Sequence, residues 1–298
     1  MIGRMIPALA AAGGAEGGEF NIKEMILHHL VDSPKWEIWP FAIGWEIKVP
    51  LGPVVLDLSI TKHVLFMFFA AALVLLIMIP AARQAEKARA EGAKRGPKGV
   101  SNVVEAFILF LRDEVALPNI GHGGERFVPF VVTVFFFILM CNLLGLVPWG
   151  ASPTGNISVT AALAVLSFIM IEVAGMMELG PKGYAKTIFY APEGMGLAMK
   201  IPMLIIMTPV EFLGKLTKPF ALAIRLFANM TAGHAVVLAL TGLAVTASMA
   251  GGWIVSIAVA PVLMATAIMV LELFVAFLQA YIFAMLTSVF IGLIRHAH

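Results

Sequence analysis

Residues 64–82 read VLFMFFAAALVLLIMIPAA, a stretch without a charged residue. A helix needs about 20 consecutive apolar residues to cross the roughly 30 Å hydrocarbon core of a bilayer, so this stretch is long enough to span a membrane. Of the 298 residues, 60% are hydrophobic and only 13% are charged, whereas a soluble domain has about 25% charged residues. The chain is therefore predicted to be an integral membrane protein.

Further apolar runs give the number of crossings. We predict an all-α integral membrane protein whose five membrane-crossing helices cover about 63–82, 127–148, 157–180, 203–248 and 253–294. Pro209 and Pro219 predict breaks in the fourth span. The more polar run 101–116 predicts a helix on the cytoplasmic surface, with Ser101 as its N-cap.

The loop after the first span predicts how the chain is oriented. Residues 83–98 contain six Lys or Arg side chains against two Glu side chains, and cytoplasmic loops are enriched in Lys and Arg. We therefore expect the N-terminus outside and, after five crossings, the C-terminus in the cytoplasm.

Residues 1–58 differ from the rest in their mixed polarity. They predict a periplasmic or interfacial segment with a short helix at 22–33, followed by a single membrane domain, 59–298. The first 18 residues only weakly outline a signal peptide, because their apolar part is short and is interrupted by Pro7, and this favours retention over cleavage.

Charged side chains in the fourth span are the first candidates for function. Residues 208–240 read TPVEFLGKLTKPFALAIRLFANMTAGHAVVLAL; Glu211, Lys218 and Arg225 recur every seven residues on one side of a helix, with Asn229 close by. A charge at the bilayer centre costs at least about 2.5–3.5 kcal/mol, and a guanidinium does not release its proton. Arg225 is therefore either a functional fixed charge or a structural charge paired within the chain, with Gln279 or a carboxylate.

A histidine and a glutamate extend this set. If the last two helices pair as an antiparallel hairpin, His234 and Glu272 lie at comparable depth. Both side chains can titrate when the environment shifts their pKa values, so the pair predicts a proton relay; a structural histidine is the alternative. Gln279 follows Glu272 on the same face, and Glu172 in the third span is a further candidate.

Composition and motifs also exclude functions. The net charge of +2, with no basic face, gives no indication of a nucleic-acid partner. The sequence has no GxxxxGK[ST] loop that would bind ATP, and its histidines lack the spacing of metal ligands. We therefore predict neither a cofactor nor a metal.

The block 218–234, KPFALAIRLFANMTAGH, resembles the signature of the subunit a family of F-type ATP synthases. The resemblance continues in LQAYIF at 278–283 and in CNLLGLVP at 141–148, and it covers roughly 55–294. It implies that Arg225 is the essential arginine that faces a ring of c subunits, with Asn229 and Gln279 lining the polar path beside it.

Two positions depart from many bacterial relatives in this family. Where those relatives have Glu and His, this chain has His234 and Glu272, as in mitochondrial-type sequences, so that one acid and one imidazole are kept. Gly145 replaces an acidic residue found in some relatives, and Glu172 is our hypothesis for its substitute.

The resemblance also implies a mechanism. Two half-channels give protons access to the membrane carboxylates of the c subunits, from outside through His234, Glu272 and Asn142 and from inside near Glu211 and Lys218. Arg225 favours the ionised carboxylate and repels a proton that would pass straight through. Proton flow then turns the ring and drives ATP synthesis in a different subunit, so that the chain is not an enzyme on its own.

The implied partners are the c-ring, against which the last two helices would pack, the b subunits of the peripheral stalk and the remaining ATP synthase subunits, in a bacterial inner membrane. The alternative from another class is a stand-alone proton-coupled secondary transporter or channel. That alternative explains the buried polar side chains but leaves the signature block unexplained.

Overall fold

The computed structural model describes residues 61–90, 99–147, 150–189, 197–250 and 258–295, together with residues 22, 26 and 32 and four short strands between 35 and 57. The weak signal-peptide outline, nearly all of the predicted helix at 22–33 and the turn before the last helix lie outside the described residues.

Two β-hairpins precede the first long helix, where the sequence predicted only an interfacial segment. Lys35–Ile38 pairs antiparallel with Phe41–Gly44, and Lys48–Leu51 pairs antiparallel with Val54–Asp57. In sequence, a Gly-Pro dipeptide separates the last two strands, which is a strong turn signal. The second hairpin was therefore detectable from the residues.

Five helices in the described part of the chain are long and apolar enough to cross a membrane, as predicted. They are α1 (Lys62–Ala90), α2 (Val128–Gly145), α3 (Ile157–Ile188), α4 (Leu197–Ala250) and α5 (Val259–Arg295). The part of the protein that these helices form is all-α, which confirms the predicted fold class.

Two of these helices extend beyond their apolar runs. α1 continues through 83–90, RQAEKARA, because these residues are mostly good helix formers that need no apolar surroundings. α3 bends at Gly180, whose φ of 69° is not helical, and continues through Pro181 to Ile188. The predicted end of the third span coincides with this bend.

The predicted breaks at Pro209 and Pro219 are wrong. α4 is a single helix that contains Pro202, Pro209 and Pro219. A proline removes one backbone hydrogen bond from the preceding turn. Membrane helices tolerate the loss because neighbouring polar groups and small local adjustments satisfy the freed carbonyl.

The helix predicted at 101–116 is present, but it begins differently. It consists of Val100–Phe110, a π-helical turn at Leu111–Ala116 and a last turn at Leu117–Ile120. The N-cap is Gly99, with a φ of 69°, whereas Ser101 is buried in the first turn. Glycine adopts a positive φ without strain, which allows the N-cap to lie two residues earlier than predicted.

The chain forms two compact units. The first unit comprises the described residues within 1–72, 139–156 and 226–278, and the second unit those within 73–138, 157–225 and 279–298. His63, Asn142, His234 and Glu272 belong to the first unit. Glu172, Glu211, Lys218, Arg225 and Gln279 belong to the second.

The end of α5 is anchored within the second unit by Arg295, which is only 6% exposed. Its guanidinium donates to the carbonyl oxygens of Ile120 and His122, at 3.3 and 2.7 Å, and to Glu178 Oε2 at 2.8 Å. One turn earlier, a β-carbon on Gly292 would overlap the carbonyl oxygen of Asn119. Glycine at this position therefore permits the close approach that brings Arg295 to these acceptors.

Candidate functional site

Arg225 lies on the exposed surface of α4. The exposed residues Ala221, Ala228 and Ala232 follow the same face at helical spacing, so that the side chains around the guanidinium are small. Among the hydrogen bonds and ion pairs between described residues, none involves Arg225. Arg225 is therefore an exposed cation without an ion pair among the described residues.

The two amides that the signature places near Arg225 differ in their surroundings. Asn229, one turn after Arg225, is exposed on α4. Gln279 is almost wholly buried, with 2% of its surface exposed.

His234 and Glu272 are brought together, as the antiparallel hairpin predicted. His234 Nδ1 is 3.6 Å from Glu272 Oε1, and the side chains are 21% and 12% exposed. The other ring nitrogen of His234, Nε2, is 2.9 Å from the carbonyl oxygen of Gly145. A carbonyl only accepts hydrogen bonds, so Nε2 carries the proton and, in the neutral ring, Nδ1 presents a lone pair toward Glu272.

Gly233 makes room for this pair, a role that the sequence analysis missed. A β-carbon on Gly233 would overlap Glu272 Oε1, so the carboxylate lies against the bare backbone of α4. The sequence did contain an indication of this role. Gly233 precedes His234 inside a long helix, where a glycine is destabilising and usually marks a close packing contact.

Asn142 is completely buried and belongs to a connected polar network. Its Nδ2 donates to the carbonyl of Ala276 at 3.2 Å, and its Oδ1 accepts from Thr154 Oγ1 at 2.7 Å. The Thr154 hydroxyl is also 2.7 Å from Ser152 Oγ, which lies 3.3 Å from the carbonyl of Cys141. The sequence analysis selected Asn142 and overlooked both hydroxyls.

Gly145, where the resemblance implied an acidic residue in some relatives, has no space for a side chain. A β-carbon there would lie 2.5 Å from Ser152 Cβ and 3.0 Å from His234 Nε2. Ser152 therefore occupies the space that an acidic side chain would need. The proposed substitute, Glu172, belongs to the second unit.

His63 and Asp32 were also missed by the sequence analysis. His63 Nδ1 is 2.9 Å from the carbonyl oxygen of Ser152, and its Nε2 is 3.8 Å from Asp32 Oδ1. Asp32 also accepts a hydrogen bond from Asn156 Nδ2 at 2.9 Å. With the residues already described, they form what we call the first cluster: Asp32, His63, Asn142, Ser152, Thr154, His234 and Glu272.

A second cluster, formed by Glu172, Tyr184, Thr187 and Lys215, lies in the second unit. Lys215 Nζ is 3.7 Å from Glu172 Oε2, and it donates to Tyr184 Oη at 3.2 Å and to Thr187 Oγ1 at 3.4 Å. Lys215 is only 8% exposed. The sequence analysis followed the seven-residue spacing to Lys218 and did not select Lys215.

The second cluster borders a cavity of about 90 Å³. Polar side chains line it, and Phe168, Ile171, Leu293 and Ile294 complete its wall. The polar lining consists of Glu172, Thr187, Glu211, Lys215 and Lys218. The three predicted residues Glu172, Glu211 and Lys218 therefore meet at one cavity, although Glu211 itself is exposed.

Comparison with known proteins identifies the family. The family described as ATP synthase A chain matches residues 64–292. The chain belongs to this family. In the part of the chain that the structure describes, no three His, Cys, Asp or Glu side chains are grouped as metal ligands.

Individual relatives match over nearly the whole chain. ATP synthase subunit a 2 of Chlorobaculum tepidum is 46% identical over 287 residues, which cover 96% of this chain and 77% of the relative. ATP synthase subunit a of Chloroherpeton thalassium is 44% identical over 269 residues, with 90% and 75% covered. ATP synthase subunit a of an Anaeromyxobacter species is 40% identical over 326 residues, with 98% and 76% covered.

Family membership confirms the resemblance that the signature block indicated. The protein is a multi-pass membrane protein that translocates protons within an ATP synthase complex, and it is not itself the catalytic subunit. A stand-alone transporter or channel is not favoured, because the relatives are subunits of this complex.

Gly233→Ala tests whether the bare backbone of α4 positions Glu272. The added methyl group displaces the carboxylate from His234, and we expect proton pumping to fall about 10²-fold or more, the usual contribution of a positioned proton-transfer group. ATP-driven pumping by inverted vesicles measures this change. The control is Gly214→Ala on the same helix, because a β-carbon there meets no atom of the chain within 4 Å. Equal pumping by the two variants would contradict the assigned role of Gly233.

Proposed function

We propose that the chain provides two proton half-channels and that Arg225 faces the carboxylates of a ring of c subunits. The observation that carries the proposal is the exposed guanidinium of Arg225, which has no ion pair among the described residues. It lies within a helix long enough to cross the membrane. A guanidinium remains charged at every accessible pH. In hydrocarbon it requires a counter charge, and a carboxylate on a partner subunit supplies one.

The fixed charge couples proton exchange to rotation of the ring. When a protonated ring carboxylate approaches Arg225, the positive charge favours its ionised form, and the proton leaves by one half-channel. After the carboxylate has moved past, a proton from the other half-channel neutralises it. Arg225 repels a proton that would pass directly from one half-channel to the other, so that proton flow requires rotation.

We assign the outward half-channel to the first cluster, with His234, Glu272 and Asn142 as its principal members. Three properties support this assignment. The His234 nitrogen that faces Glu272 presents a lone pair in the neutral ring, the carboxylate lies within 3.6 Å, and both side chains are mostly buried. A proton that binds His234 Nδ1 is therefore stabilised by Glu272 until that proton is released. Asn142 donates to the Ala276 carbonyl and so holds α5 beside this pair.

We assign the inward half-channel to the cavity beside the second cluster. Glu211 is exposed at its rim, and Lys218 and Glu172 line it. A cavity of about 90 Å³ has room for water. Lys215 holds Glu172 through an ion pair, which keeps a carboxylate available for proton release. Gln279 and Asn229 contribute the polar surfaces near Arg225.

The orientation follows from the loop charges rather than from the folded structure. The basic segment 83–98, which follows the first apolar run, favours the cytoplasmic side, and this supports an N-terminus outside and a C-terminus inside a bacterial inner membrane. The c-ring then packs against the exposed face of α4 that carries Arg225. The b subunits of the peripheral stalk and the other ATP synthase subunits complete the assembly.

Arg225→Ala tests the proposed function. We expect the complex to assemble and ATP-driven proton pumping in inverted vesicles to be abolished, because the ring carboxylate loses the charge that stabilises its ionised form. Co-purification with the ring and the ATPase subunits verifies assembly. Arg126→Ala is the matched control, because Arg126 is an exposed arginine outside both clusters. Pumping near the wild-type rate by an assembled Arg225→Ala complex would refute the proposal.

Two variants test whether the Lys215–Glu172 ion pair contributes to proton pumping or only to stability. Lys215→Met leaves the mostly buried carboxylate of Glu172 without its cation, and breaking a buried ion pair costs about 3–5 kcal/mol. We expect the melting temperature of the complex to fall with Lys215→Met and to recover in the double variant Glu172→Gln/Lys215→Met. Pumping should remain impaired in the double variant. If the double variant pumps like wild type, the pair is only structural.

A further inference from the structure

A second histidine–carboxylate pair lies in the first unit. His63 Nε2 is 3.8 Å from Asp32 Oδ1, close to the 3.6 Å that separates His234 Nδ1 from Glu272 Oε1. His63 is nearly buried, with 5% of its side chain exposed, whereas the Asp32 side chain is 26% exposed. The pair therefore joins a partly exposed carboxylate to a nearly buried imidazole.

The two imidazoles are held in the same way. His63 Nδ1 donates to the carbonyl of Ser152, and His234 Nε2 donates to the carbonyl of Gly145, both at 2.9 Å. Gly145 is the last residue of α2, and Ser152 lies within the connection between α2 and α3. Since a carbonyl fixes the bonded nitrogen as the N–H, the remaining nitrogen of each neutral ring presents a lone pair toward its carboxylate.

These remaining nitrogens are the unusual feature. His63 Nε2 and His234 Nδ1 are both buried and have no hydrogen-bond partner among the described residues. A buried structural histidine normally uses both ring nitrogens in hydrogen bonds, because an unmade bond is costly. A nitrogen that must bind and release protons has a reason to be left without a permanent partner.

We propose that His63 and Asp32 form the outer proton-transfer pair of the outward half-channel, which supplies protons to His234 and Glu272. This inference rests on the proposed function, because it extends the same half-channel toward the outer solution. His63 Nε2 takes a proton from a hydronium ion on the Asp32 side, which becomes water, and Asp32 stabilises the imidazolium. The same nitrogen then releases the proton to a water molecule on the way to His234, which becomes hydronium, and His63 returns to its neutral form. One N–H bond forms and breaks in each cycle, and no proton is gained or lost overall.

Other charged groups also act on His63. Besides Asp32, the neighbouring Lys62 and the imidazole of His234 interact with it electrostatically. The dependence of the synthesis rate on outer pH therefore reflects the coupled protonation of Asp32, His63 and His234. Glu272 contributes through its contact with His234.

The test uses the whole complex in liposomes, with ATP synthesis driven by an imposed proton gradient. Only the pH of the solution that the outward half-channel faces, called the outer pH here, is varied. The pH on the other side and the membrane potential are held constant. In wild type we expect the rate to respond to outer pH in the range where histidine titrates. His63→Gln should lower the maximal rate at least about tenfold and flatten this response. His122→Gln, on an exposed histidine outside both clusters, should match wild type.

Asp32→Asn provides a second variant on a partly exposed residue, and it decides the question if His63→Gln does not assemble. It keeps an oxygen that can accept from Asn156 but removes the charge that stabilises imidazolium. We expect its half-maximal rate to require a more acidic outer solution than wild type. A constant reduction at every outer pH, in either assembled variant, would mean a structural role and would overturn the inference.

Arg225→Ala in the same liposomes separates the two proposals. If Arg225→Ala abolishes synthesis while Asp32→Asn and His63→Gln retain the wild-type response to outer pH, only this inference fails. If assembled Arg225→Ala still makes ATP, the proposed function itself fails, whatever the other variants do.

Discussion

The cost of holding one permanent positive charge in hydrocarbon governs the arrangement of this protein. The Arg225 guanidinium cannot be neutralised by losing its proton, and none of the described side chains forms an ion pair with it. A charge of this kind is stable in a membrane helix only beside an opposite charge or water. The small side chains of Ala221, Ala228 and Ala232 on the same face leave the guanidinium accessible to a partner. Under the proposed function, the counter charge is a carboxylate of a partner subunit.

The two clusters use different chemistry for their proposed tasks. In the first cluster, the backbone carbonyls of Ser152 and Gly145 fix the tautomers of His63 and His234 and leave one nitrogen of each ring to exchange protons. In the second cluster, Lys215 and Glu172 form an ion pair beside a cavity, with Tyr184 and Thr187 satisfying the ammonium group. A relay of imidazoles suits stepwise transfer through a narrow path, whereas a cavity with room for water suits exchange with bulk solution.

Much of this architecture could be predicted from the sequence, because the bilayer imposes simple rules. Apolar length gave the five helices, and the hairpin register brought His234 beside Glu272. The features that the sequence did not predict are contacts between residues far apart in the chain. Asp32 and His63 are 31 positions apart. Lys215 and Glu172 lie on different helices, so no periodicity within one helix could indicate their contact. The breaks at Pro209 and Pro219 were wrong because one missing backbone hydrogen bond does not end a membrane helix. The role of Gly233 is visible only when the Glu272 carboxylate is in place.

The central claim is that Arg225 prevents protons from passing directly between the half-channels. The most direct measurement is the passive proton permeability of liposomes that contain the assembled complex with its ring covalently fixed to the stator. Wild-type complex should be proton-tight, because exchange then requires a rotation that cannot occur. Arg225→Ala should conduct protons without rotation, since the ring carboxylate can then be reached from both sides. If the immobilised Arg225→Ala complex is as tight as wild type, Arg225 is not the barrier and the account is wrong.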